Sequence, residues 1–337
     1  MAYNRVGTPT FYIDAMLLAR QWGAITDESQ AKGKFNLNPS KVTDVELSSE
    51  GKAWLNIRFE NRYWCNSISH IFILGHNLFT DNLQSNAYVV DESTTPSDSA
   101  GIISSTTGTH LYNGWHKFDG VQNTDINAKR FTYNIHNGLI DIQGGETPPT
   151  STKMGDISAC WSHKMQNAPD LELTQTFSNE SIKTQTTLGG HTLTSAGHNH
   201  QPNWIRQPWT TGTEPTGTEG RTVFPVGRRS WNLKFSYVSD TGLFPSSHNS
   251  ATGIFQWTGV SNDPNTEEDE TETFYSIKDN FLDKCYHGTN GFQLPFIFQP
   301  NSDVEEYAIC RVVNKSMKFE QVANNVYNIN LDIVEVW

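Results

Sequence analysis

Residues 67–78 read SISHIFILGHNL. Four apolar side chains, Ile71 to Leu74, run unbroken into Gly-His-Asn. A strand with one wet face alternates apolar and polar residues, so a continuous run ending at turn formers predicts a strand covered on both faces. The Gly-His-Asn step also poses a chemical question, because a histidine at a strand end is a common place for a base or a metal ligand. Either role needs partners at defined spacing, and no HExxH, GxSxG or DxD pair surrounds it. Asn77 tolerates the left-handed backbone of tight turns, and an imidazole can donate and accept hydrogen bonds. His76 and Asn77 are therefore read as the structural turn that closes the strand.

The neighbouring segments read as further strands. VTDVELSS (42–49) alternates imperfectly through Val42, Val45 and Leu47. AWLNIRFEN (53–61) alternates Trp54 or Leu55 with Ile57 and Phe59, and NAYVVDES (86–93) follows the next turn. Four strands within about 50 residues is the spacing of a sandwich. Composition agrees, with 18% charged and 12% aromatic residues and connections crowded with Thr, Ser, Asn and Gly. One short helix is expected in YIDAMLLARQW (12–22), where Ile13, Met16, Leu17 and Arg20 lie on related faces and Gly23 can end it.

Residues 93–150 are loop-rich, with a hairpin expected in RFTYNIHNGLIDIQGG (130–145) turning near His136, Asn137 and Gly138. Strands resume in MGDISACWSHKM (154–165) and in DLELTQTF (170–177), where Leu171, Leu173 and Phe177 would point one way. Residues 187–220 make an excursion too long for a plain connection, which suits an assembly or functional surface. In RRSWNLKFSYVSDTGLF (228–244), alternation assigns Trp231, Leu233, Phe235 and Tyr237 to one face and Asn232, Lys234 and Ser236 to the other. The final strand carries Val326, Ile329, Leu331, Ile333 and Val336, and Trp337 is expected to pack. This gives an N-terminal docking segment (1–39), a β-sandwich with inserted hairpin and loops (40–245), an acidic linker (246–272) and a smaller C-terminal β unit (273–337).

The formal charge of -12 argues against a partner that offers a phosphate backbone, so no sequence-specific nucleic acid is expected. No leader-like segment and no run of 18 apolar residues is present, so neither secretion nor membrane insertion is expected, and the sequons at Asn179 and Asn314 carry little weight. Cys65, Cys160, Cys285 and Cys310 are far apart and form no CxxC, so they read as reduced, buried thiols.

Three groups remain as candidate sites. His191, His198 and His200 form the most metal-like stretch, but their spacing matches no zinc motif, so no metal is assigned and a contact between subunits is the preferred role. Asp263, Glu267, Glu268, Asp269, Glu270 and Glu272 lack the DxDxDG pattern of a calcium loop and read as a solvated linker. Trp115, Phe118, Trp204 and Trp209 lie among Gly and Asn and would serve as protein-interface anchors or as a sugar-stacking platform. No cofactor and no catalytic residue is assigned, and no carboxylate pair of the glycosidase kind can be picked out.

The segments TPTFYIDAMLLARQWG, ISHIFILGHNL, GDISACWSHKMQNAPDLELTQTF, RRSWNLKFSYVSDTGLF, LPFIFQP and FEQVANNVYNINLDIVEVW resemble parts of virion structural proteins of tailed bacteriophages. ILGHNL and the GDIS strand are similar to the galactose-binding-like jelly rolls of tail-tip, baseplate and fibre-attachment proteins. The resemblance implies a non-enzymatic subunit of the virion tail, assembled in the host cytoplasm. Its partners would be its own copies, as a ring or trimer, and other tail or baseplate proteins, with host surface glycan as a further one. Phe11, Tyr12 and Trp337 would be docking residues.

Overall fold

The computed structural model describes residues 6–28, 33–60, 63–66, 68–78, 81, 83–90, 102–104, 114–118, 129–137, 149–171, 174–178, 182–196, 227–244 and 280–336. The chain is mainly β. In order it forms β1 (Thr10–Asp14), α1 (Ala15–Gln21), β2 (Ile25–Asp27), β3 (Thr43–Glu46), β4 (Ala53–Phe59), α2 (Tyr63–Asn66), β5 (His70–His76) and β6 (Leu83–Val90). There follow β7 (Ile102–Ser104), β8 (Gly114–Phe118), β9 (Arg130–Asn137), β10 (Ser151–Met154), β11 (Asp156–Lys164), β12 (Thr174–Ser178), β13 (Ile182–Thr186) and β14 (Thr192–Ala196). The last elements are β15 (Arg228–Ser239), α3 (Asp240–Leu243), a π-helical turn (Leu282–His287), β16 (Phe296–Gln299), β17 (Ala308–Val312), β18 (Phe319–Ala323) and β19 (Val326–Glu335). Among the described residues no helix is long and apolar enough to cross a membrane.

A ten-stranded antiparallel sheet runs β12-β15-β19-β17-β16-β1-β11-β5-β8, with β18 added on β19. A five-stranded sheet, β2-β4-β9-β6-β7, shares one apolar core with it. Leu55, Ile57, Phe131, Tyr133 and Ile135 of the smaller sheet join Ile71, Ile73, Ile157, Ala159 and Trp161 of the larger in that core. The other face of the large sheet is buried too, in a second cluster that includes Tyr12, Phe72, Leu74, Trp115, Cys160, Ile297 and Tyr307. This two-sided burial is why residues 71–74 show no alternation: Ile71 and Ile73 face one cluster, Phe72 and Leu74 the other.

The C-terminal segment does not stand apart as a separate β unit. β16, β17 and β19 fill the middle of the large sheet, and β1 lies between β11 and β16. Thr10–Asp14 pair with Lys164–Cys160 on one side, and Thr10–Tyr12 with Gln299–Ile297 on the other. Phe11 and Tyr12 are accordingly 0% and 4% exposed, so they are core residues and not docking groups. Phe11 packs on Phe281, Phe296 and Phe298, with ring centroids 5.3–5.9 Å away. Trp337 lies outside the described residues.

Local readings differ from the expectation where backbone geometry overrides pattern. The expected helix begins only at Ala15, because residues 10–14 are drawn into the sheet and Asp14 caps the helix, its Oδ1 accepting from the N–H of Met16 (2.7 Å) and Leu17 (3.2 Å). Residues 130–137 form a strand paired with both β4 and β6, and the expected turn beyond Asn137 lies outside the described residues. Leu171 and Phe177 are exposed, and Leu173 lies outside the described residues. Within the expected C-terminal β unit, Leu282–His287 is a π-helical turn.

In β15 the alternation holds through Trp231, Leu233 and Phe235 and then breaks. Phe235 pairs with Ile329 and Val238 with Tyr327, so Ser236 and Tyr237 together oppose Asn328. This bulge turns Val238 inward and leaves Tyr237 74% exposed with φ 59°. A left-handed backbone at a residue with a side chain costs about 1–2 kcal/mol.

Two glycines let the chain cross over β5 and β11. A Cβ at Gly155 would lie 2.3 Å from the Pro39 carbonyl oxygen, and one at Gly75, which has φ +71, would lie 2.8 Å from the same atom. Gly155→Ala should therefore destabilise by about 1–3 kcal/mol, as overpacking does. Gly23→Ala meets no neighbouring atom within 4 Å, so it bears only the strain of its φ of +70. Urea denaturation of both variants checks the ordering.

Candidate functional site

His76 is the last residue of β5, and Asn77 follows it. His76 is 3% exposed, and its Nδ1 accepts from the Leu78 N–H at 3.4 Å. Burial, with His116 nearby, pushes its pKa down to about 3, against a hydrogen bond with the Trp115 backbone. A ring so reluctant to take a proton is a poor general acid near neutrality. Asn77 Oδ1 accepts from Thr152 Oγ1 (2.8 Å) and from the Lys153 N–H (2.6 Å), which fastens β10 to the end of β5.

Trp115 and Phe118 are each 2% exposed, so the readings of both as surface anchors or a sugar platform fall. β8 presses them into the two clusters on opposite faces of the sheet, Trp115 lying 5.3 Å from the Tyr307 ring. His191 is exposed on the β13–β14 ribbon. His198, His200, Trp204, Trp209 and the acidic run 263–272 lie outside the described residues, as does Asn179. All four cysteines are buried and none is in a disulfide bond. Among the described residues no group of three or more His, Cys, Asp or Glu is placed to hold a metal ion.

The structure instead gathers two polar clusters that pattern reading passed over. The first lies on the second face of the large sheet, where β1 meets β11. Asp156, Ser158 and Cys160 occupy alternate positions of β11 and so share a face, and Asp14 pairs in register with Cys160. Ser158 Oγ lies 2.8 Å from Asp14 Oδ2, to which it donates, and 3.1 Å from Cys160 Sγ. Asp156 Oδ1 accepts from the Asn36 N–H at 2.9 Å. Lys34 Nζ reaches in beside them, donating to the Met154 carbonyl at 2.7 Å and to both oxygens of Thr43. A carboxylate, a hydroxyl and a thiol in contact resemble a nucleophilic relay, but the electrostatics oppose one. Burial, helped by Asp14, holds the Cys160 thiol well above its usual range, so the reactive thiolate is suppressed. Burial likewise raises Asp14 to about 6 despite its hydrogen bonds from Ser158, Leu17 and Met16, and raises Asp156 well above the ordinary carboxylate range. The cluster fixes β1 and α1 against β11.

The second cluster ties the other half of the sheet. Arg229, at the head of β15, donates from Nη1 to Glu306 (3.0 Å), from Nη2 to Glu335 Oε1 (2.9 Å) and from Nη2 to the Tyr307 carbonyl (2.6 Å). Its Nε and its backbone N–H both donate to Glu335 Oε2, and the guanidinium lies 5.3 Å from the Trp231 ring. All three charged side chains are at most 4% exposed. Desolvation works against the guanidinium's charge, and the carboxylates of Glu335 and Glu306 more than offset it. The sequence did carry a signal for this partner: Ile329, Leu331 and Ile333 set an inward period of two, which places Glu335 inward as well. Cys310, opposite Glu335, is held well above its usual range by burial and by that carboxylate. Nε, Nη1 and Nη2 of the guanidinium all donate inside the fold, so this cluster is a clamp.

No family model, no curated protein and no solved structure matches the chain.

Two expectations follow. Arg229→Met strands two buried carboxylates and should destabilise by about 3–5 kcal/mol, measured by chemical denaturation. Asp14 has a raised folded pKa, so its contribution to stability is full below the unfolded value of 3.8 and is lost as pH rises through about 6. The loss amounts to about 3 kcal/mol. Asp14→Asn should flatten the stability curve across that window, and melting temperatures taken every half pH unit would show it.

Proposed function

We propose that this chain is a structural subunit of a tailed-phage virion, placed at the tail tip or baseplate, with a jelly-roll type of sandwich as its body. Its work is to hold copies of itself, neighbouring tail proteins or fibres. One observation carries the assembly reading. β12 ends the large sheet, and its sequence, TQTFS, carries no charge. Natural edge strands are normally protected by charge, proline or a bulge. Straight after it, among the described residues, β13 and β14 pair only with each other, and residues 184–194 of this ribbon are all exposed, Leu188 and Leu193 included. A two-stranded ribbon without an apolar face to bury is marginally stable by itself. A neighbouring subunit would supply the missing face, and in a symmetric assembly one such contact repeats around the axis.

The buried state of the polar clusters supports the same reading, since their side chains are committed to the fold. The sequence resemblance supplies the virion. Two measurements test this. Gold-labelled antibody against the protein should mark the tail end remote from the head on intact particles; unlabelled particles, even after mild disruption, would refute the assignment. Replacing residues 184–194 by a short Gly-Ser turn should change the melting temperature of the isolated chain by no more than about 3 °C and yet stop its incorporation into particles.

A further inference from the structure

Among the described residues five strands bound the two main sheets, and four of them carry marks that keep an edge from pairing further. β8 has a register shift against Leu74 and His76 and carries Lys117. β2 has a shift between Ile25 and Asp27, β18 has one between Gln321 and Ala323 and carries Glu320, and β7 has one against Ala87 and Tyr88. β12 has neither a shift nor a charge: Thr174–Ser178 pair with Asn232–Arg228 without a break. Among the described residues it pairs on one side only, so its other side offers a regular row of backbone donors and acceptors. Its side chains are open in the same way. Gln175 and Phe177 stand in register with Trp231 and Arg229, so they share the face that Trp231 presents to the main core. Phe177 is nevertheless 60% exposed.

We propose that β12 pairs antiparallel with β12 of a second copy about a twofold axis at Phe177, so that the large sheet continues from one molecule into the next. The contact rests on the reading of the chain as a subunit that assembles with its own kind. In this register the strand is complementary to itself. Phe177 meets the second copy's Phe177, an aromatic pair, and Thr176 meets its Ser178, a pair of hydroxyls; both kinds of cross-strand pair stabilise a sheet. The two rings lie on the core side, so apolar surface runs across the seam. Charge also favours a second copy at this strand. A formal charge of -12 sets two copies against each other over most of their surfaces, while TQTFS brings no carboxylate to the seam. An isologous contact of this kind closes after two copies, so it joins subunits in pairs and leaves any ring to other surfaces.

Sedimentation velocity of the full chain over a concentration series should show a monomer–dimer equilibrium. Phe177→Lys and Phe177→Glu, both at an exposed position, should keep a cooperative melt and should each weaken the dimer about tenfold or more, because like charges then face each other across the axis. Mixed in equal amounts, the two variants should restore the dimer, since lysine then meets glutamate; a contact made elsewhere would not respond to mixing. Phe177→Cys should link two copies by a disulfide, because directly opposed strand residues have Cα atoms about 4.5–5.5 Å apart, within disulfide reach. Val313→Cys, exposed on another strand's end, should not. The proposal is overturned if the parent is monomeric throughout, if its oligomer survives Phe177→Lys, or if mixing the charged variants restores nothing. Gold on the tail with a monomeric parent would overturn this contact and leave the virion reading standing. A dimer restored by mixing, with particles unlabelled, would do the reverse.

Discussion

A single strand of five residues makes the large sheet one object. β1 has β11 on one side and β16 on the other, so it joins strands from the first half of the chain to strands from its end. Its side chains serve both clusters, Phe11 and Ile13 in the shared core and Tyr12 in the second. Asp14, its last residue, caps α1 with one oxygen and accepts from Ser158 with the other. Sheet pairing, helix initiation and the burial of both faces therefore meet at Thr10–Asp14.

Burying both faces of a wide sheet makes unpaired polar groups costly, and the two polar clusters limit that cost in different ways. Around Arg229, opposite charges neutralise one another through a nearly saturated guanidinium. Around Asp14, carboxyls held toward their neutral form share hydrogen bonds with a hydroxyl and with backbone donors. Both arrangements commit these side chains to contacts inside the fold.

Much of the strand content was legible because burial leaves a clear trace in sequence. The unbroken run at Ile71–Leu74 and the alternation of Ala53, Leu55, Ile57 and Phe59 both match the observed burial. Strand order was not legible, since antiparallel pairing between residues nearly 290 positions apart, as in Thr10 and Gln299, leaves no local mark. That is why the last strands read as a separate unit. Trp115 and Phe118 misled for a related reason: glycine and asparagine around them suggested a surface loop, whereas a short strand buries both. Tyr237 escaped because a bulge shifts the period by one, and only the pairing with Asn328 reveals the extra residue. Asp156, Ser158 and Cys160 were visible as a polar period of two, but nothing in the sequence said that Asp14 would meet them.

The position of β1 has a consequence for synthesis. The strand leaves the ribosome long before one of its two partners, Phe296–Gln299. Until then β1 presents an open edge, so a chain cut short before β16 keeps an unpaired, apolar strand that invites aggregation or degradation. Synthesis through β16 thus becomes a condition for a closed sheet.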